Sequence, residues 1–161
     1  PLVKALQMNP NLTEAHFPLG LAYAGLGKHM KKVRHYRETI RVEPEHGPAH
    51  FKLGLAEAAQ SRHQEAINHY QKAVKDNPEA ARIYYFMGIS LYLSKRYMEA
   101  IPAFKSASKL NPDYAEASYN LGLTFLRMGK YSQAVSFFRK ALKLSPNLLE
   151  KPEKMGLVKN R

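Results

Sequence analysis

The sequence predicts an all-α chain, a solenoid of antiparallel helix pairs stacked along its length. Three observations predict it. Gly20, Gly54, Gly88, Gly122 and Gly156 stand 34 residues apart. Pro10, Pro44, Pro78, Pro112 and Pro146 share that 34-residue spacing. Between them, apolar residues recur at the three-and-four spacing of a helix face. Two residue types sharing one period across a chain mark a structural repeat. Such a unit buries its apolar stripes only by stacking on its neighbours.

The period divides the 161 residues into partial units at both ends and four full ones between. Residues 1–12 read as the second helix of an incomplete unit, with Ala5 and Pro10 in phase with Ala141 and Pro146. Repeat 1 spans 13–46 and is the least regular. Thr13 is placed to cap a helix, Pro18 falls within that helix and is expected to bend it, and Gly27 opens a turn. A second helix runs from near Met30 to just before Pro44. Repeat 2 spans 47–80 and carries Leu53, Gly54, Ala66, Tyr70, Ala73 and Pro78. Repeat 3 spans 81–114 and carries Met87, Gly88, Ala100, Phe104, Ala107 and Pro112; its Pro102 is expected in the first turns of the second helix. Repeat 4 spans 115–148. Residues 149–161, with Met155 and Gly156 in phase, read as a capping helix or the start of a fifth unit, rich in Lys and Glu as an exposed cap requires.

Counted from the first residue of each unit, positions four, seven, eight and eleven make one stripe of the first helix. Positions twenty, twenty-four and twenty-seven make one stripe of the second. Gly at eight and Ala at twenty allow the two axes to approach closely. The aromatic at twenty-four (Tyr36, Tyr70, Phe104, Phe138) fills the space between them, and Pro at thirty-two ends the pair. Repeat 1 departs from this, with Lys32 at position twenty and Thr39 at twenty-seven.

Composition narrows the function classes. The 45% apolar content excludes a disordered chain. No apolar run reaches the roughly 20 residues of a membrane-spanning helix, and the first residues lack the pattern of a secretory leader. The chain opens on Pro1 rather than Met, as a piece of a longer chain would, which leaves open a targeting segment outside it. A cytoplasmic protein is the reading, with a peripheral membrane position as the alternative. There is no cysteine, hence no disulfide and no thiolate metal site. The net charge is +12. Between Arg127 and Arg161 nine basic residues face Glu150 and Glu153 alone, a net +7 that would attract polyanions.

Repeat 4 sets Ser118, Leu121, Gly122, Phe125, Ala134, Phe138 and Pro146 in one order and spacing. This resembles the tetratricopeptide repeat (TPR) family, whose 34-residue pattern is W-x2-L-G-x2-Y, then A-x3-F, then P. The resemblance covers essentially the whole chain. It departs at the Trp position, which holds His16, His50, Tyr84 and Ser118, and at the Tyr position, where Glu57 stands in repeat 2. It implies a right-handed superhelix whose first helices line a concave groove, and a protein-interaction scaffold rather than an enzyme.

The same resemblance names the groove positions as two, five, six, nine, twelve and thirteen. Position five is Phe17, Phe51, Tyr85 and Tyr119; position nine is Leu21, Leu55, Ile89 and Leu123; position twelve includes Tyr92. An aromatic ladder thus runs beside an aliphatic one. In repeat 3 the first helix is apolar nearly all round, Phe86 included, and an apolar strip left open marks an interaction site. Lys52, Arg82, Asn120 and Arg127 flank the strip and could set register. The groove should therefore take a peptide or an amphipathic helix of another protein. The plainer alternative is that the position-five rings only pack against their neighbours. The family's carboxylate clamp for chaperone tails needs Lys and Asn where Phe17 and Leu21 stand, which argues against that adaptor role.

Two other readings compete: self-assembly through the groove or a terminal unit, where Leu2, Val3 and Leu6 form an edge, and docking of the basic surface on acidic lipid or nucleic acid. No cofactor and no metal are expected. His16 and His50 share position four, His29 and His63 share seventeen, and His35 and His69 share twenty-three, but these are packing positions echoed between two similar repeats. Nucleophile elbows, phosphate loops and zinc-binding helix motifs are absent.

Overall fold

A computed structural model describes residues 13–150. The described residues form an α-solenoid of four antiparallel helix pairs: α1 (His16–Gly25) with α2 (His29–Val42), α3 (Gly47–Ala59) with α4 (His63–Asp76), α5 (Ala81–Leu93) with α6 (Tyr97–Leu110), and α7 (Ala115–Arg127) with α8 (Tyr131–Leu144). Each helix packs on the one before and the one after it. The expected N-terminal half-unit with Leu2, Val3 and Leu6 lies outside the described residues. So does the expected cap beyond the short 3-10 turn Leu148–Glu150.

The start of the array differs from the sequence expectation. A 3-10 turn occupies Thr13–Ala15, and α1 begins only at His16, with Ala15 at its cap and no side-chain capping bond. Pro18 is therefore the third residue of α1. A first-turn N–H has no intrahelical partner, so proline is tolerated there instead of bending the helix. Pro102 departs in the other direction: it is the sixth residue of α6, past the first turn. Its missing N–H leaves the Met98 carbonyl without a ladder partner, on an exposed face where water can serve it. At α3 the cap is His46, whose side chain accepts from the Ala49 N–H at 3.1 Å.

The two helices of each pair meet through glycine and ring. The rings of Tyr36, Tyr70, Phe104 and Phe138 lie directly on Gly20, Gly54, Gly88 and Gly122. A Cβ built on any of these glycines would come within 2.4–2.7 Å of the ring. Ala66, Ala100 and Ala134 are buried beside them, as the small-residue spacing requires. Glu57 interrupts this apolar seam. It is buried where the other repeats carry Tyr23, Leu91 and Phe125, and it is ion-paired with Arg62 and, at 3.3 Å, with Arg37 of the preceding pair. Its charge is kept in the seam by two guanidinium groups, one of which crosses a repeat boundary.

Candidate functional site

First helices touch one another along the array, α3 with α5 and α5 with α7. Their shared side carries the positions named as the groove. All four position-five rings lean on the position-twenty-four ring of their own repeat: Phe17 on Tyr36 at 5.8 Å between centroids, Phe51 on Tyr70 at 6.0 Å, Tyr85 on Phe104 at 6.1 Å and Tyr119 on Phe138 at 5.1 Å. These rings therefore help build the core of their own repeats.

What covers the second side of each ring differs. His46 lies over Phe17 at 4.7 Å, and Tyr114 lies over Tyr85 at the same distance. His46 and Tyr114 occupy the last position of their repeats. At that position in repeat 2 stands Ala80, too short to reach, and the Arg82 guanidinium lies over Phe51 at 5.8 Å and Phe86 at 5.6 Å. Cation and ring attract through the ring quadrupole. Only Tyr85, beneath Tyr114, is buried; Phe17 beneath His46 stays half-buried, as Phe51 does.

Three of the fourteen candidate groove residues present no surface to a partner. Tyr85 is 3% exposed, Ile89 5% and Asn120 0%. The apolar α5 sits between two helix pairs, and its rings are claimed by neighbours before any guest. Asn120 does not flank a groove; its amide donates to the Tyr85 hydroxyl at 3.2 Å and ties repeat 4 to repeat 3. Burial pushes the Tyr85 phenol well above its ordinary range, and it pushes Tyr114 up to about 12. Both stay protonated donors at any physiological pH.

The remaining eleven keep accessible surface. Leu21 is 40% exposed, Arg82 and Arg127 are exposed, and Phe17, Phe51, Lys52, Leu55, Phe86, Tyr92, Tyr119 and Leu123 are half-buried. Arg127 donates from Nε to the Tyr92 hydroxyl at 3.1 Å, a second link between repeats 3 and 4. Among these residues the cations outnumber the anions completely: Lys52, Arg82 and Arg127 face no carboxylate within the set.

The histidines at positions four and twenty-three pair within their own repeats. His16 and His35 meet Nδ1 to Nδ1 at 3.0 Å, and His50 and His69 at 2.9 Å. They bridge the first and second helix of the first two pairs. No group of three or more His, Asp or Glu among the described residues could hold a metal ion. No helix among them is long and apolar enough to cross a membrane.

Residues 79–147 match a tetratricopeptide repeat family model, and residues 54–95 match a second TPR repeat model, together more than half of the chain. Among solved structures, a crystal structure of MamA is similar at 25% identity and a TM-score of 0.85, over 92% of this chain and 87% of that one. A second crystal structure of MamA protein is similar at 26% identity and a TM-score of 0.80, over 90% and 79%. MamA from Desulfovibrio magneticus, residues 41 to the end, shares the fold at 22% identity and a TM-score of 0.82, over 91% and 83%. Comparison with curated protein sequences gave no match. The 34-residue period, the glycine-and-ring seam and these matches lead to one conclusion: the chain belongs to the tetratricopeptide repeat family, an architecture of protein-interaction scaffolds.

Proposed function

We propose that this chain holds a segment of another protein along the inner surface of its first helices. The observation that supports it is the apolar strip left accessible by Leu21, Leu55, Tyr92, Tyr119 and Leu123, edged by Lys52, Arg82 and Arg127. Apolar area gives affinity and the cations give register, as in other grooves that take a helix or an extended peptide. A few ring and leucine anchors dominate such binding, each worth on the order of 1–2 kcal/mol when cut to Ala.

The test is a displayed random-peptide selection on the whole chain, followed by affinities for wild type, Tyr92→Ala and Leu123→Ala. Each substitution should weaken the selected peptides about five- to thirtyfold. Binders indifferent to both changes would place recognition elsewhere.

Self-association is the second reading, favoured by the exposed Tyr131, Val135, Leu142 and Leu144 on α8. Sedimentation over a concentration range tests it, and a strict monomer removes it. Docking of the basic surface on acidic lipid or nucleic acid rests on exposed Arg139, Lys140 and Lys143. Affinity that falls steeply with salt would support it.

A further inference from the structure

The junction between repeats 1 and 2 differs from the junctions that follow. A recess of about 520 Å³ opens between α1, α2 and α3. Its walls are Ala24, Val33, Tyr36, Leu55, Ala56 and Ala59. Small residues line it at three positions where repeat 3 places larger ones. Ala24 corresponds to Tyr92, Val33 to Ile101 and Ala59 to Leu93. The recess lies in the size range of small-molecule sites and has their usual apolar lining.

Beside the polar His29 and Gln60, its charged side chains have one sign. Lys32 and Lys52 both line it, and no Asp or Glu does. Neither lysine has an ion-pair partner among the described residues. Lys32 is the more telling of the two. It occupies position twenty, where Ala66, Ala100 and Ala134 are buried in the seams of the other repeats. A cation thus replaces the alanine that closes the other pairs, and it does so beside an apolar hollow. Lys52 likewise stands where Phe86 fills the corresponding place one repeat later.

We infer that this recess binds a small amphipathic organic anion: an apolar chain or ring that enters between Val33, Leu55 and Ala56, with one carboxylate held by Lys32 and Lys52. The apolar walls supply area for the body, and two lysines without acidic partners supply the complementary charge. The site shares Lys52 and Leu55 with the groove but does not require a peptide there.

Calorimetric titration of the whole chain with hexanoate, octanoate and decanoate, and with decanol as the uncharged control, tests it. Affinity should rise about fourfold for each methylene added. Decanol should bind more weakly than decanoate, and Lys32→Ala and Lys52→Gln should each weaken decanoate about three- to fivefold. Ala24→Tyr and Ala59→Leu place in the recess side chains that repeat 3 already carries at those positions, so the fold should tolerate them, which thermal unfolding checks. Either should abolish decanoate binding. The inference is overturned if decanoate at millimolar concentration gives no heat, or if either plugged, folded variant binds it as wild type does. It is overturned equally if decanol matches decanoate, which would make the recess a plain apolar slot for a partner's side chain.

Discussion

His50 and His69 meet Nδ1 to Nδ1 at 2.9 Å, while Nε2 of His50 lies 2.8 Å from the Pro44 carbonyl. A carbonyl only accepts, so Nε2 of His50 carries its proton and Nδ1 is the acceptor. Nδ1–H of His69 therefore donates. A second proton on His50 would set two donors face to face unless His69 moved its own proton to Nε2.

Burial, first among the causes, holds His35, His50 and His69 below the ordinary histidine range. The unfolded chain then takes up protons at higher pH than the folded one. The contribution to stability is full above the unfolded value of about 6.5 and is lost as pH falls through the lower folded values. Thermal unfolding from about pH 7.5 to about pH 5 should show Tm falling, most steeply below about 6.5. His69→Gln keeps a donor for His50 without titrating, and should flatten that fall. A Tm equally pH-dependent in His69→Gln would take the loss away from this pair.

The seam between paired helices has no room for a methyl group. A Cβ at Gly88 would lie 2.7 Å from Phe104 Cδ1. Gly88→Ala should cost about 2 kcal/mol by overpacking. Gly25→Ala, in a helix but with nothing within 4 Å of its Cβ, should be neutral or gain a few tenths of a kcal/mol. Urea unfolding of the two variants separates packing from helix propensity.

The turn between the helices of each pair passes through left-handed backbone at the same place. Gly27 and Gly129 hold it at φ 66° and 71°, and Ser61 and Lys95 hold it at φ 61°. A side chain in this region costs about 1–2 kcal/mol. Lys95→Gly should therefore raise stability by about 1 kcal/mol, after the larger entropy loss of glycine is deducted. The denaturation midpoint reads it directly.

Tyr70 is fully buried, and its hydroxyl has no hydrogen-bond partner among the described residues. Repeats 3 and 4 place Phe104 and Phe138 at that position. Tyr70→Phe removes an unsatisfied polar group and leaves the ring on Gly54 in place. It should gain about 1 kcal/mol. A loss of stability would show that the hydroxyl is served.

The positions of the candidate site were legible in the residues, their exposure was not, and the reason is a common one. The spacing of Phe17, Phe51, Tyr85 and Tyr119 put four rings on one side of the first helices. Which of them stayed open depended on residues 29 positions further along, and on the next repeat. Tyr114 closes over Tyr85 and Asn120 bonds its hydroxyl, whereas Ala80 leaves Phe51 to Arg82. Such contacts have no signature within a single helix. The histidine spacing was equally visible, but its pairing was not: positions four and twenty-three lie on different helices, and only their docking brings Nδ1 to Nδ1.

By itself the sequence determined the period, the helix pairs and the small-against-large seam, because local spacing sets which stripe a helix can bury and glycine alone fits beneath a ring. Tertiary structure decided the rest. It hid Tyr85, Ile89 and Asn120, kept Leu21 and Leu123 accessible, and left a recess beside Ala24 and Ala59. Exposure in a solenoid is the outcome of competition between neighbouring repeats for the same surface, and the winner is set by side-chain volume across a boundary that no single repeat encodes.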